Sequence, residues 1–177
     1  MRIIGGKFRS RKIVFPDSKD VRPTKDRIRE AVFSALKDDV SNRRVLDLFA
    51  GSGAYGLEAL SRGASFATFV DINPLSIKAI NTNIKILGTQ KETLVINESY
   101  ESFLKTNKDV FSLAFLDPPY KTDVYFEIIE KLLNENVIAK DGIIICEAER
   151  SHDFSGFVEL KTKEYRYGGN YVYILRR

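Results

Sequence analysis

Short apolar runs alternate along this chain with longer stretches in which apolar residues recur every three or four positions. The short runs predict strands over 43–49, 66–70, 93–97, 112–116 and 142–148, and the periodic stretches predict helices over 54–62, 74–87, 99–105 and 123–135. The second of these helices carries its own punctuation: Asn73 as cap, Pro74 at the first position and Gly88 as stop. Strands alternating with helices of this length imply an α/β fold, a doubly wound and mostly parallel sheet. The end of the chain departs from the rule. Phe157 to Tyr167 and Tyr171 to Leu175 flank Gly168-Gly169-Asn170, which predicts an antiparallel hairpin.

Ahead of the alternating part, residues 2–15 suggest a small hairpin turning at Gly5-Gly6 or near Ser10. Arg22-Pro23-Thr24 then ends the strand, and Thr24 caps a helix from Lys25 to about Lys37. Ile28, Ala31, Val32 and Ala35 share its apolar face, with Arg27 and Glu30 pointing elsewhere. The expected organisation is a single domain over 1–177, with a basic extension at 1–42 and a catalytic core at 43–177.

Charge sharpens this division. The net charge is +4, yet residues 1–29 hold ten Lys or Arg against three Asp, and residues 30–177 eighteen Lys or Arg against twenty-one Asp or Glu. A basic arm on a mildly acidic body suggests a polyanion partner, with Arg9, Arg11, Lys12 and Arg22 as its nucleic-acid contacts. Alternatively, the charges guard a solvated edge strand. No apolar run approaches a membrane span, the first residues lack a signal-peptide stretch, and a lone Cys146 fits a reducing cytoplasm. Cys146 sits in an apolar run, as a structural thiol does, and His152 lies in a polar loop without metal partners. A monomer is expected, since neither a heptad nor an apolar surface stripe is evident.

Two motifs carry chemistry. Val45-Leu46-Asp47-Leu48-Phe49-Ala50-Gly51-Ser52-Gly53 leads a strand into a glycine loop, and Asp71 follows twenty residues after Gly51 at the end of the next apolar run. Glycines let a ligand approach the backbone, and a carboxylate at Asp71 can accept the hydroxyl hydrogens of an adenosine ribose. The pattern also satisfies a dinucleotide fingerprint. Asp47, inside the strand, favours S-adenosylmethionine, because a buried carboxylate there can pair with a methionine ammonium. It could instead only orient the glycine loop by accepting its N–H groups. The second motif, Asp117-Pro118-Pro119-Tyr120, ends a buried strand in a stiff turn. It offers a carboxylate, proline carbonyls and a stacking ring, a set that suits the exocyclic amine of a nucleobase. Asp47, Gly51, Asp71 and Asp117 all fall at strand carboxyl ends, where open α/β sheets bind ligands.

In these motifs the chain resembles the RsmD family, bacterial 16S ribosomal RNA guanine-N2 methyltransferases of the Rossmann-like class I fold. The likeness runs through Met1-Arg2-Ile3-Ile4-Gly5-Gly6, Arg22-Pro23-Thr24-Lys25-Asp26-Arg27-Ile28-Arg29-Glu30, Asp47 to Gly53, Gly56 to Ala64 and Asp117 to Tyr120. The resemblance implies transfer of a methyl group from S-adenosylmethionine to one guanine of small-subunit rRNA, on assembled or partly assembled particles. Spacing and composition alone stop at methylation of a nucleobase amine, and a DNA adenine-N6 methylase remains the alternative. Expected catalytic residues are Asp117, Pro118, Pro119 and Tyr120. Expected cofactor contacts are Thr24, Asp47, Phe49, Ala50, Gly51, Gly53, Asp71 and Ile72, with Ser99 and Tyr100 against the adenine. Asn97 or Glu98 are the substitutes there, because related enzymes place Asp or Asn followed by Ala where this chain has Asn97-Glu98-Ser99-Tyr100. Thr24, Arg27 and Arg29 either cover the cofactor carboxylate or touch RNA phosphate. No metal is called for.

Overall fold

A computed structural model describes residues 1–16, 26–119 and 124–177 of the chain. The predicted Thr24 cap, Arg22 and Tyr120 lie outside the described residues. The elements are α1 (Asp26–Leu36), β1 (Arg44–Leu48), α2 (Ala54–Ser61), β2 (Phe66–Val70), α3 (Pro74–Leu87) and β3 (Thr93–Ile96). They continue with α4 (Tyr100–Thr106), β4 (Phe111–Leu116), α5 (Tyr125–Asn134), β5 (Ile138–Ala148), β6 (Lys161–Tyr167) and β7 (Asn170–Arg176). Among the described residues they build one seven-stranded sheet in the order β3-β2-β1-β4-β5-β7-β6. The first five strands are parallel, and β7 runs antiparallel to both β5 and β6. The alternating pattern and its terminal hairpin are borne out, with Asn73 capping α3 through Leu75 N–H and Gly88 ending it at φ 73°.

The sheet divides two apolar layers. On one side, Val45, Phe69, Phe115, Ile145 and Val172 pack against α1, α2 and α3; on the other, Leu46, Leu116, Ile144 and Tyr173 pack against α5. This is the period-2 alternation of strands covered on both faces. Every residue of α2 is buried, so its one carboxylate must be compensated inside the protein. Glu58 accepts from Ile4 N–H (2.7 Å), Gly5 N–H (2.8 Å) and Arg62 Nε (2.7 Å), and lies 3.7 Å from Arg29 Nε. The N-terminal segment is pinned onto α2 by these bonds.

Several expectations change. The hairpin expected over residues 2–15 is present only in reduced form: Arg2 bridges Lys12, and Ile3 N–H donates to Arg11 O, Ser10 N–H to Ile3 O and Ile13 N–H to Met1 O around a 3-10 turn at Gly6–Phe8. Close docking on α2 takes the backbone bonds that a longer ladder would use, as Phe8 N–H donates to Ser61 Oγ. In α1, Arg29 is buried beside Ile28, Val32, Phe33 and Leu36, so the inward face is not purely apolar. The strand before the hairpin begins at Lys161, because residues 150–160 form a loop that folds Phe154 and Leu160 into the core. His152 sits in that loop but among rings, 4.9 Å from Tyr125 and 5.9 Å from Phe154 between centroids. Cys146 is fully buried, which pushes its thiol well up and leaves it without nucleophilic character at neutral pH. Among the described residues no helix is long and apolar enough to cross a membrane.

Candidate active site at the carboxyl edge of the sheet

The loop after β1 opens with strain. Phe49 holds φ 135°, a region that L-residues avoid, and its N–H and that of Ala50 both donate to Val70 O of β2 (3.2 and 3.0 Å). The Phe49 ring is thereby turned to within 5.4 Å of Tyr100. Gly51 and Gly53 follow at φ 54° and 76°, and α2 starts at once. Gly56 lets α2 lie directly on β2, since a Cβ there would come 2.4 Å from Phe69 Cε1.

Two carboxylates hold this loop. Asp47, 4% exposed, accepts from Gly56 N–H at 2.9 Å. Burial pushes its carboxyl up to about 7; the Gly56 hydrogen bond opposes this and the Asp71 charge adds to it. Asp71 accepts from Gly51 N–H through one oxygen and from Asn73 N–H through the other, each at 2.8 Å. A carboxylate oxygen has a second acceptor site, so both remain able to receive a hydroxyl hydrogen. Ile72, next in the chain, is 69% exposed at this edge. Asn97 fixes the turn from beside it, donating to Asp71 O and Ile72 O.

Ser99 has a second task. Its hydroxyl caps α4 by accepting from Ser102 N–H at 3.2 Å, which leaves one acceptor site and the O–H for a ligand. Glu98 is bonded to the Ser102 hydroxyl. Tyr100 keeps its ring beside Phe49, and its phenol is pushed up to about 12 by partial burial, with Glu101 and Glu127 adding to the rise.

Asp117 follows β4 and is half-buried, with Pro118 buried and Pro119 exposed. Asp47 is registered on Phe115, so Asp117 stands one same-face position beyond it. Leu116 is registered on Cys146, which makes Asp117 and Glu147 neighbours on adjacent strands, facing the same side. Glu147 is 3% exposed and accepts from Tyr55 Oη (2.8 Å) and Asn170 Nδ2 (3.1 Å), while its main-chain carbonyl accepts from Tyr125 Oη. Tyr55 stacks on Phe115 at 4.7 Å between centroids. Burial first, then the charges of Glu147 and Asp117, push the Tyr55 phenol well above its ordinary value, so it stays a donor.

The structure thus brings Asp47, Phe49, Ala50, Gly51, Gly53, Asp71, Ile72, Tyr100, Asp117, Pro118 and Pro119 to one edge of the sheet, with Ser99 beside them as a cap. Arg9, Arg11 and Lys12 are exposed on the N-terminal segment, where Arg11 donates to Ile86 O of α3 at 2.7 Å. Arg29 cannot serve an RNA phosphate: it is fully buried, bonded to Arg2 O and Asp26, and its Nη1 makes no hydrogen bond among the described residues. Sequence reasoning passed over Tyr55, Glu147 and Asn170. A signal existed for Glu147, which continues the apolar run Ile143 to Cys146 just as Asp47 interrupts its own run. Among the described residues no group of His, Cys, Asp and Glu could hold a metal ion.

An S-adenosylmethionine molecule fits these donors. Asp47 is a buried carboxylate whose hydrogen bond among the described residues comes from one N–H, suited to an ammonium. Asp71 retains acceptor sites beside an exposed apolar side chain, suited to a ribose next to a base.

The chain matches the family model described as Conserved hypothetical protein 95 over residues 1–176. It is 40% identical over 152 residues to ribosomal RNA small subunit methyltransferase D of Escherichia coli strain K12, covering 84% of this chain and 75% of that protein. The solved structure of yhhF from Escherichia coli aligns with a TM-score of 0.88 at 32% identity, over all of this chain (100%) and 97% of that one. SMU.776, solved in complex with SAH, aligns with a TM-score of 0.69 at 14% identity over 89% of this chain and 50% of that one, which shows the shared fold alone. The chain belongs to the family of ribosomal RNA small subunit methyltransferase D, the RsmD family.

Proposed function

We propose that this protein is an rRNA methyltransferase that places a methyl group on the exocyclic N2 of a guanine in small-subunit 16S rRNA. The observation that carries the reading is the convergence of two donor sets on one sheet edge, Asp47 with Gly51 to Asp71 on one side and Asp117-Pro118-Pro119 on the other. The relatives carry rRNA names, which disfavours the DNA adenine alternative. When bound, S-adenosylmethionine supplies a methyl group made electrophilic by its sulfonium.

Asp47 holds the cofactor ammonium, Asp71 the ribose hydroxyls, the Gly51 to Gly53 backbone the body of the ligand, and Ile72 and Tyr100 the adenine. Guanine N2 is a weak nucleophile because its lone pair is delocalised into the ring, so alignment supplies much of the rate. Asp117 and the Pro118 carbonyl accept the two N2 hydrogens and draw the lone pair out of the ring. The Asp117 carboxylate stabilises the positive charge that develops on nitrogen and then receives the proton. Tyr120 supplies the plate for a flipped or unpaired base.

The test is transfer of radiolabel from S-adenosylmethionine by wild type and Asp117→Ala to small subunits lacking the modification, to naked rRNA and to duplex DNA, followed by nucleoside analysis. The expected product is N2-methylguanosine, in rRNA or its particles and with wild type alone; comparing the two also settles which is the substrate. Label recovered as N6-methyladenine in DNA, or retained by Asp117→Ala at the wild-type rate, overturns the assignment.

A further inference from the structure

The outer hairpin ends at the same edge as the site. β6 is the last strand of the sheet, and the turn from Tyr167 to Asn170 lies beyond the carboxyl end of β5, where Asn170 Nδ2 reaches Glu147 beside Asp117. Residues of β6 alternate between its two faces. Lys161, Lys163, Tyr165 and Tyr167 share the face that carries Val172 and Ile174 of β7. The two lysines are exposed and form no ion pair among the described residues; the two rings are half-buried and stack 8° from parallel with centroids 6.3 Å apart. Opposite them on β7 stand Arg176, Ile174, Val172 and Asn170, so the hairpin itself puts no carboxylate on this face; Asp39 reaches it at the Lys161 end, where Arg176 pairs with it at 2.7 Å. Glu164, the acidic residue of β6, points to the other face, where Arg166 lies 4.9 Å over the Tyr171 ring. The strip is about 20 Å long at the usual rise per residue.

We propose that this face of β6 is a docking surface for single-stranded RNA flanking the target base, with Lys161 and Lys163 on phosphates and Tyr165 and Tyr167 as stacking plates. The occupant follows from charge and shape. Unpaired cations in line with near-parallel aromatic planes are the combination that tracks a nucleic-acid strand without reading its sequence. The strip is distinct from the N-terminal basic segment, which is fastened to α2 and α3. It also leads to the base-accepting end of the site, through Asn170 and Glu147, and so rests on the rRNA methyltransferase reading.

The test compares wild type with Lys161→Gln/Lys163→Gln for affinity toward the substrate that wild type methylates, transcribed 16S rRNA or small subunits lacking the modification, between about 50 and 200 mM salt, and for steady-state methylation. Both lysines are exposed, so thermal stability and S-adenosylmethionine affinity serve as controls and should not move. Loss of two phosphate contacts from a single strand should make the slope of log affinity against log salt shallower by about 1.4. KM for the RNA substrate should rise roughly tenfold with kcat unchanged. Tyr167→Leu keeps apolar packing but removes the π-face and should weaken binding roughly tenfold, whereas Tyr167→Phe should not. A salt slope and KM in the lysine pair variant equal to wild type would show a merely guarded sheet edge and sink the proposal. Absence of methyl transfer by wild type is a different failure, that of the rRNA methyltransferase reading itself. Absence of binding by wild type to both transcribed 16S rRNA and the unmodified small subunit removes the docking surface as well.

Discussion

At the β1–β2 end of the carboxyl edge, carboxylates are held by backbone N–H groups nearby in sequence: Gly56 to Asp47 across 9 positions, Gly51 to Asp71 across 20, Asn73 to Asp71 across 2. At the β4–β5–β7 end, side chains hold side chains: Tyr55 to Glu147 across 92 positions and Asn170 to Glu147 across 23. The first scheme rests on donors that every residue but proline carries, and it needs glycine where the backbone must turn or approach closely. The second depends on particular side chains, any of which can be exchanged. A glycine loop lets a ligand approach the backbone at the first end, and Asp117 offers a carboxylate to a base at the second. The proposed division is therefore cofactor at the first end and RNA base at the second.

The sharpest way to break this division is Asp117→Ala. Loss of one group that stabilises developing charge costs about 10²–10³ in kcat. Affinity for S-adenosylmethionine, measured by calorimetry, should stay within about twofold, because binding energy for the cofactor comes from the other end. Equal loss of turnover and cofactor affinity would merge the two ends into one.

Asp47→Asn tests the first end, with an expected loss of roughly 30-fold or more in cofactor affinity, since the ammonium would be left without its charge partner. The pH dependence carries the sign. The folded chain holds the Asp47 proton until about pH 7, while the unfolded chain releases it near its ordinary value of 3.8. The unfolded state therefore binds fewer protons in this window, and the contribution of Asp47 to stability falls as pH rises from about 4 to 7, then levels. Chemical denaturation of the ligand-free protein should show this slope in wild type and lose it in Asp47→Asn. Cofactor affinity should move the opposite way, weakening up to about tenfold per pH unit below 7, because Asp47 must ionise to meet the ammonium.

The same contrast explains what the sequence made legible. The first end follows from local rules: an apolar run with one carboxylate, a glycine loop, a helix start and a second carboxylate after the next strand. Carboxyl-edge placement follows from the alternation, which also located Asp117, whereas the strand order does not. Glu147 and Asn170 gain their meaning only from register, Leu116 against Cys146 and Ala148 against Tyr171, which periodicity does not specify. The burial of Arg29 is not legible locally, because its partners, Glu58 and the Arg2 carbonyl, come from elements far away in sequence. The N-terminal hairpin is shorter than its alternation suggests for a related reason: docking on α2 takes the backbone bonds of Ile4, Gly5 and Phe8.

Tyr55→Phe tests the second end with a smaller effect. It removes a hydrogen bond to the buried Glu147 carboxylate without opening a cavity, leaving that charge short of a donor. A loss of about 1–3 kcal/mol in unfolding free energy is expected. If the frame positions the loop from Asp117 onward, kcat should fall severalfold while cofactor affinity holds. A loss of stability with unchanged kcat would reduce the Tyr55–Glu147–Asn170 frame to packing.

Ser99→Ala should have the least effect, and it decides where the first end stops. Ser99 lies at the carboxyl side of β3 as an adenine contact would, yet its hydroxyl accepts from Ser102 N–H and begins α4. Removing a serine cap costs about 1 kcal/mol of stability, while glycine at such a position costs only a few tenths and aspartate replaces the cap. Stability in the order wild type and Ser99→Asp, then Ser99→Gly, then Ser99→Ala, with cofactor affinity flat across all four, identifies a cap. Adenine contact predicts a different pattern, because alanine and glycine equally lack the hydroxyl and should lose affinity together. The flat result leaves the adenine to Ile72 and Tyr100, with Asn97 and Glu98 as the polar groups that remain beside them.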